Sequence, residues 1–366
     1  MDNTIAGLEL TDRVCQIDIS NVLSTDMEIF LAAMLQPFPE LTYLRLWPAE
    51  EMPVVPDSFL GGCAPRIRYL TWSSIPFPSL PKSLLSATHL DTLHLHSIPH
   101  SGYFPPDAIV TVLSTLTNLS YLWLGFQSPR SCPDQASRRP PPLTRSVLPV
   151  FTHFRFTGVS EYLEDLVACI DAPQLYVLDI TFFNDIEFNT SQFTQFISRT
   201  SKSTTVKKAN IVFGVNSAGV DFSQTSGYGE FKVEISCEGL DWQVSSLEQI
   251  CTSCMPSLST LEDLYFHEDR HLQPDQRGNI ENGLWLELLL PFTAVKNIYL
   301  SETVASRIVT ALKELAEGGT TEILPTLKNI FLGGLKSSGP VEEGIGQFVA
   351  ARQVAGHPIT VSRWTN

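Results

Sequence analysis

The stretch LTYLRL at residues 41–46 is one copy of a six-residue pattern, apolar-x-x-apolar-x-apolar, that decides the fold of this chain. The pattern returns along the whole sequence, usually just after a proline or a short polar turn. Well-formed copies are VCQIDI (14–19), IRYLTW (67–72), LDTLHL (90–95), LSYLWL (119–124), FTHFRF (151–156), LYVLDI (175–180), LEDLYF (261–266), VKNIYL (295–300) and LKNIFL (327–332). Fainter copies lie near 206–211, 231–235 and 359–361. Each copy has the length and alternation of one short β-strand.

These copies begin on average about 29 residues apart, which is the period of a leucine-rich repeat. Within each copy the fourth and sixth residues point to one face of the strand, and the third and fifth point to the other. A single repeat cannot bury its apolar side chains by itself, so it needs a neighbouring repeat to pack against. The sequence therefore predicts an α/β leucine-rich-repeat solenoid, a horseshoe with a parallel sheet on its concave face and helices or loops on its convex face.

Between the strands the apolar spacing changes from two to about 3.6 residues, which is typical of helices. Residues 160–170 predict a helix capped by Ser160 and stopped by Pro173. Similar spacing predicts helices over 25–35, 304–316 and 342–354.

The repeats predict a single solenoid domain over residues 1–366, with two irregular regions at 127–149 and 216–230. The first region contains SRRPPPLTR at 137–145, a basic and proline-rich stretch. We interpret it as a loop; docking to a groove that binds polyproline segments is the alternative. The second region is rich in Gly and Ser and predicts an irregular or hinged part of the array.

The composition excludes several classes of partner and compartment. Asp and Glu outnumber Lys and Arg by 39 to 24, so the net charge is -15, and neither nucleic acid nor an anionic membrane is expected as the main partner. No apolar run reaches the ~20 residues of a membrane helix. Seven scattered cysteines and the absence of a signal-peptide pattern predict reduced thiols in a cytoplasmic or nuclear protein.

The sharpest competing motif is the set Cys251, Cys254, His267 and His271, whose spacing matches a Cys2His2 zinc site. A zinc finger would need residues 261–266 to be helical, whereas the repeat needs them to form a strand. The two readings exclude each other. We expect a strand and no metal.

No nucleophile elbow, P-loop or dinucleotide-binding glycine signature stands in a strand-to-helix context, so the sequence predicts a protein that is not an enzyme and needs no cofactor. His94 and His96 lie near Asp91 and could form a metal or acid/base pair. Two solvent-facing positions on one strand explain them with fewer assumptions.

The outward positions of the strands are rich in aromatic residues and arginine. As candidate protein-binding residues on the concave face they are Tyr43, Arg45, Trp47, Tyr69, His94, His96, Tyr121, Trp123, His153, Arg155, Tyr265 and Tyr299, with His267 and Phe331 in equivalent positions. Trp, Tyr and Arg carry much of the energy of protein interfaces. The alternative is that these rings stack across strands and stiffen the sheet.

Five segments resemble the repeat region of fungal F-box/leucine-rich-repeat-type proteins. They are THFRFTGVSEYLEDL (152–166), IDAPQL (170–175), ITFFN (180–184), ENGLWLELL (281–289) and GQFVAARQ (346–353). The resemblance implies a substrate receptor of a Skp1-cullin-type ubiquitin ligase, in which the repeats hold the target and an F-box docks to the adaptor.

The chain departs from that plan because its first residues lead directly into the repeat at residue 14. We therefore expect an unidentified protein ligand on the concave face, and a Skp1-type adaptor only if an F-box lies upstream. A stand-alone repeat scaffold that is not coupled to ubiquitination is the alternative. The substitution Trp123→Ala is expected to abolish the binding of partners and to leave the folding of the protein almost unchanged.

Overall fold

The computed structural model describes residues 2–50, 54–56, 58–74, 76, 82–128, 144–183, 190–200, 206–223, 230–253, 258–268, 281–318, 323–334 and 340–364. Backbone contacts divide the chain into two compact units. Unit 1 comprises the described residues up to 200 and unit 2 those from 206 onward. The proline-rich stretch at 137–143 lies outside the described residues, and the single-domain organisation over 1–366 stays a prediction.

The described part of unit 1 contains a parallel sheet of seven strands whose spatial order follows the sequence. Its strands are β1 (Gln16–Val22), β2 (Tyr43–Pro48), β3 (Tyr69–Ser73), β4 (Thr92–Ile98), β5 (Tyr121–Phe126), β7 (His153–Gly158) and β9 (Val177–Phe182). Two short strands, β6 (Ser146–Val147) and β8 (Ile170–Asp171), pair separately. The predicted side-by-side parallel strands are confirmed in this unit.

The register of unit 1 aligns equivalent positions of successive repeats. Leu44 pairs with Leu70, which pairs with Leu93, and that pairs in turn with Leu122. All four side chains are at most 2% exposed. Because side chains alternate along a strand, the core takes the fourth and sixth residues of each repeat, and the third and fifth lie on the opposite face.

A left-handed residue lies at the same point of several repeats, either just after the strand or one residue before its end. Asn21, Ser74 and Ser97 have φ values of 57°, 55° and 54°, and Gly334 has a φ of 75°. Each stands seven positions after the first residue of its six-residue pattern. Such a residue interrupts the regular strand geometry, and the register of β1 and of β4 shifts at Asn21 and Ser97. Asn and Gly adopt this conformation most readily.

The described part of unit 2 contains a sheet ordered β12-β11-β10-β13-β14-β15-β16. Its strands are β10 (Lys208–Phe213), β11 (Ser217–Ser223), β12 (Glu230–Ser236), β13 (Asp263–Glu268), β14 (Asn297–Leu300), β15 (Asn329–Gly333) and β16 (Thr360–Trp364). Strands β10 and β13 to β16 pair in parallel, as predicted.

The two faint copies near 206–211 and 231–235 do not follow each other in the sheet as the repeat predicts. Strand β11 lies between β10 and β12 and is antiparallel to both. The turn at the start of β11 is closed by a bond from Gly214 N–H to the Ser217 carbonyl, 2.7 Å long. So short a turn can only reverse the chain, because a parallel neighbour needs a long crossover. The predicted irregular region therefore contains a strand, β11.

In the described part of the chain, the α-helices are α1 (Asp2–Leu8), α2 (Ser24–Ala33), α3 (Lys82–Ser86), α4 (Pro106–Leu113), α5 (Ser160–Ala168), α6 (Ser191–Arg199), α7 (Leu240–Ser253), α8 (Asn282–Leu289), α9 (Glu302–Gly318) and α10 (Pro340–Val354). Of these, α2, α5, α9 and α10 correspond to the four helices that the sequence predicted. Ser160 is not the N-cap of α5: Val159 holds that position, and the Ser160 hydroxyl donates to Glu161. Among the described residues, no helix has the length and hydropathy needed to cross a membrane.

Candidate functional site

A single line of side chains crosses all seven strands of the unit 1 sheet on the face opposite the core. We call it the central row. In the order of the strands from β1 to β9, its members are Asp18, Arg45, Thr71, His94, Trp123, Arg155 and Asp179. The register places the acidic residues at its ends, the arginines inside them, and uncharged or aromatic groups in the middle.

Beside the central row, and sharing His94 with it, runs a continuous set of contacting rings, the aromatic ladder. The contacting rings are Tyr43, Tyr69, His94, Tyr121, His153 and Tyr176, and successive centroids are 4.5, 5.4, 4.8, 5.4 and 4.7 Å apart. His94 fills a gap in the ladder because the neighbouring position on its own strand is the small Thr92. Its Nδ1 also lies 3.1 Å from the Thr71 hydroxyl.

His96 corrects the expectation that every outward position is exposed, because only 5% of its surface is accessible. The ring of Trp123 stacks on it at a centroid distance of 4.7 Å, and that of Trp47 meets it edge-on at 4.9 Å. Space for this arrangement exists because the positions flanking His96 are Ser73 on β3 and Gly125 on β5. Trp47 itself is 41% exposed.

Both histidines of β4 are held in the neutral form. Burial lowers the pKa of His94 to about 4, with further contributions from His96, Arg155 and Arg45. Burial and Arg45 also lower the pKa of His96. The Nε2 atoms of both rings are buried and have no hydrogen-bond partner among the described residues. The surface around His94 and His96 is therefore uncharged at neutral pH and disfavours additional positive charge.

The two arginines of the central row each contact one aspartate and one tryptophan. Arg45 lies 3.7 Å from Asp18, and its guanidinium carbon is 5.1 Å from the centroid of Trp47. Arg155 lies 3.4 Å from Asp179, with its guanidinium carbon 5.8 Å from the centroid of Trp123. Side chains of both arginines are more than one-third exposed. They remain accessible to a ligand while the flat tryptophan rings orient them.

Unit 2 carries a smaller array of the same kind. The rings of Tyr265, Tyr299 and Phe331 stack almost parallel, with centroids 4.1 and 4.5 Å apart. Burial and the neighbouring Tyr299 raise the pKa of Tyr265 to about 12. Trp364 meets Tyr299 edge-on at 5.5 Å and also contacts His267 at 5.9 Å.

A ladder of polar side chains runs beside these rings. The side-chain amide of Asn297 donates to Asp263, and that of Asn329 donates to Asn297; both hydrogen bonds are 2.7 Å long. The hydroxyl of Thr360 donates to Asn329. These bonds tie four neighbouring strands together through their side chains. Like the ring contacts, these hydrogen bonds hold the side chains on the outward face of the unit 2 sheet in place.

Sequence reasoning missed Tyr176 and Trp364. Tyr176 stands in the second position of its repeat, where an inward or outward direction is not fixed by the strand pattern. Trp364 lies opposite Gly333, so the last repeat begins at Pro358 and not at residue 359. The signal was faint because Arg363 occupies the sixth, normally apolar position. In the corrected register Trp364 is the equivalent of Trp47.

The competing zinc motif is divided between different elements. Residues 263–268 form strand β13, as the repeat predicted, and not the helix that a zinc finger requires. Cys251 is buried on helix α7, and His267 lies on β13. Cys254 and His271 lie outside the described residues. Within the described ranges, no three His, Cys, Asp or Glu side chains are grouped to hold a metal ion.

No protein-family model matches the chain, and no curated protein sequence matches it. A solved structure that aligns with it is the leucine-rich repeat-containing protein LegL7 from Legionella pneumophila, at 13% identity over 91% of this chain and 97% of that one. The TM-score of this alignment is 0.34.

Proposed function

We propose that this protein is a non-catalytic leucine-rich-repeat scaffold of the solenoid or horseshoe type, and that it binds another protein through the outward face of the unit 1 sheet. The central row and the aromatic ladder are the observation that carries the proposal. Together they place accessible Trp, Tyr and Arg side chains side by side on consecutive strands. These residue types dominate the energetics of protein interfaces.

Ring stacking supports this proposal instead of competing with it. Tyr43, Tyr69 and Tyr121 are each partly exposed, so part of each residue remains accessible to a ligand. Because neighbouring rings already restrict their side-chain rotamers, less conformational entropy is lost when a partner binds. A stiff aromatic surface is a better binding surface than a loose one.

The finer form of the proposal is that these repeats are the substrate-recognition part of an F-box-type ubiquitin ligase receptor. It rests on the sequence segments that resemble that family. A stand-alone scaffold not coupled to ubiquitination is the second form. Recovery of a Skp1-type adaptor with the natural gene product, together with an in-frame F-box upstream of Met1, distinguishes the first form from the second.

The test is affinity capture from native lysate with wild type and Trp47→Ala, because Trp47 is the most exposed large ring of unit 1's outward face. The matched control is Trp242→Ala on helix α7 of unit 2, a tryptophan that is 68% exposed. We expect Trp47→Ala to lose specific partners while Trp242→Ala keeps them, with melting curves showing that both variants are folded. Retention of every partner by a folded Trp47→Ala protein contradicts the proposal.

A further inference from the structure

The two arginines of the central row define a window on the unit 1 sheet. Arg45 lies on β2 and Arg155 on β7, with β3, β4 and β5 between them. Four inter-strand steps of about 4.8 Å place the two backbones about 19 Å apart. An extended peptide that crosses the strands covers this distance with about six residues.

In the central row, the two arginines lie on strands nearer the middle of the sheet, and the two aspartates lie on the outer strands. Asp18 and Asp179 contact the arginines from the outer strands β1 and β9, so the guanidinium groups are closer to the centre than the carboxylates are. A guanidinium has five N–H donors, and the aspartate contacts at 3.4 to 3.7 Å, with one further hydrogen bond between Arg45 and Tyr43, engage only part of them. The row therefore presents its two guanidinium groups on the inner side of its two carboxylates, next to the uncharged rings of the centre.

The geometry points to an acidic peptide segment as the ligand of this window, with two carboxylates about six residues apart and an apolar or aromatic side chain between them. The carboxylates would pair with Arg45 and Arg155, and the central side chain would lie on Trp123 and Tyr121. This inference rests on the proposed function and specifies the class of partner.

The ends of the row argue against longer or oppositely charged ligands. A nucleic-acid strand that continued past either arginine would meet Asp18 or Asp179, and like charges repel at short range. A basic peptide would have to reach both aspartates, about six inter-strand steps or 29 Å apart, while crossing both arginines. The row therefore selects short acidic segments by attraction inside the window and repulsion outside it.

The test is fluorescence-polarisation binding of a labelled probe, Glu-Gly-Ser-Pro-Trp-Ser-Glu, to the full chain at low salt. Matched probes carry Gln or Lys in place of both glutamates, or place the glutamates three or nine residues apart. Protein variants are Arg45→Gln and Arg155→Gln, with Arg45→Lys and Arg155→Lys as charge-preserving versions. Arg66→Gln is the control, because Arg66 pairs with Glu40 outside the central row.

We expect the six-residue spacing to bind best, each Arg→Gln change to weaken binding about 3- to 10-fold, and Arg66→Gln to have no effect. The Arg→Lys variants should retain part of the affinity, and added salt should weaken binding. Equal or tighter binding of the Lys probe, equal competition by a single-stranded oligonucleotide, or no binding by any acidic probe at about 1 mM would overturn the inference.

Failure of this inference is distinguishable from failure of the proposed function. If lysate partners are lost with Trp47→Ala but fully retained by Arg45→Gln and Arg155→Gln, the face binds protein and the acidic class is wrong. If none of these folded variants loses a partner, the proposed function itself fails.

Discussion

The ring of Trp123 lies over that of His96 at a centroid distance of 4.7 Å and an interplanar angle of 21°. This contact buries a histidine on a face that the strand alternation assigns to solvent. The outward side of the unit 1 sheet therefore has a packed layer of its own, made of rings from neighbouring strands. Stability and binding consequently depend on the same side chains, and experiments must separate them.

Replacing Trp123 should affect folding as well as binding, contrary to the expectation from the sequence. Trp123→Ala removes the stack on His96 and the contact with Arg155, so we expect the free energy of unfolding to fall by about 1–2 kcal/mol. Trp123→Phe should retain about half of that contribution. Urea denaturation measures both, with Trp242→Ala as the exposed control. A Trp123→Ala protein as stable as wild type would show that the ring stack contributes nothing.

Stability should decrease with falling pH because His94 is held neutral. Its folded-state pKa of about 4 lies below the ordinary value of 6.5, so the unfolded chain binds the proton more readily. The contribution is complete above pH 6.5 and is lost as pH falls from 6.5 towards 4, by at most about 1 kcal/mol per pH unit for this half-buried group. His94→Gln should show a flatter decline in urea midpoint over this range. Parallel curves for the two proteins would contradict this assignment.

Glu164 should be a strong stabilising residue although it lies on helix α5. Its carboxylate accepts the backbone N–H groups of Gln192 and Phe193, both at 2.8 Å, at the start of α6. Thr190, the N-cap of α6, makes no side-chain capping bond, so Glu164 takes that role from the neighbouring repeat. Glu164→Ala should cost about 2–3 kcal/mol of unfolding free energy in urea denaturation. Glu28→Ala, at an exposed position of α2, should cost less than about 0.5 kcal/mol; equal effects would rule out the capping role.

Metal analysis of the purified protein should find much less than one zinc ion per chain. Strand β13 occupies the place of the helix that would bring His267 and His271 together, and Cys251 is buried in α7. A closed tetrahedral site needs four ligands in contact with one ion. Stoichiometric zinc that is lost in Cys251→Ser would overturn this prediction.

The sequence by itself determined the repeat and, from it, most of the sheet. Positions such as Leu44, Leu70 and Leu93 could be assigned to the core because side chains alternate along a strand and an aliphatic residue recurs at the fourth position of the repeat. The same alternation identified Tyr43, Arg45 and the other outward residues one by one. These are local properties of the chain, so a single sequence was sufficient.

Only the tertiary structure decided how these residues meet. The burial of His96 depends on Ser73 and Gly125 being small on the two adjacent strands, and the ion pairs of Arg45 and Arg155 depend on aspartates one repeat away. The reversed order of β10, β11 and β12 likewise follows from a tight turn, which the faint repeat pattern concealed. The contacts of His96, Arg45 and Arg155 join residues that are roughly one repeat or more apart in sequence, so inter-strand register, and not local periodicity, fixes them.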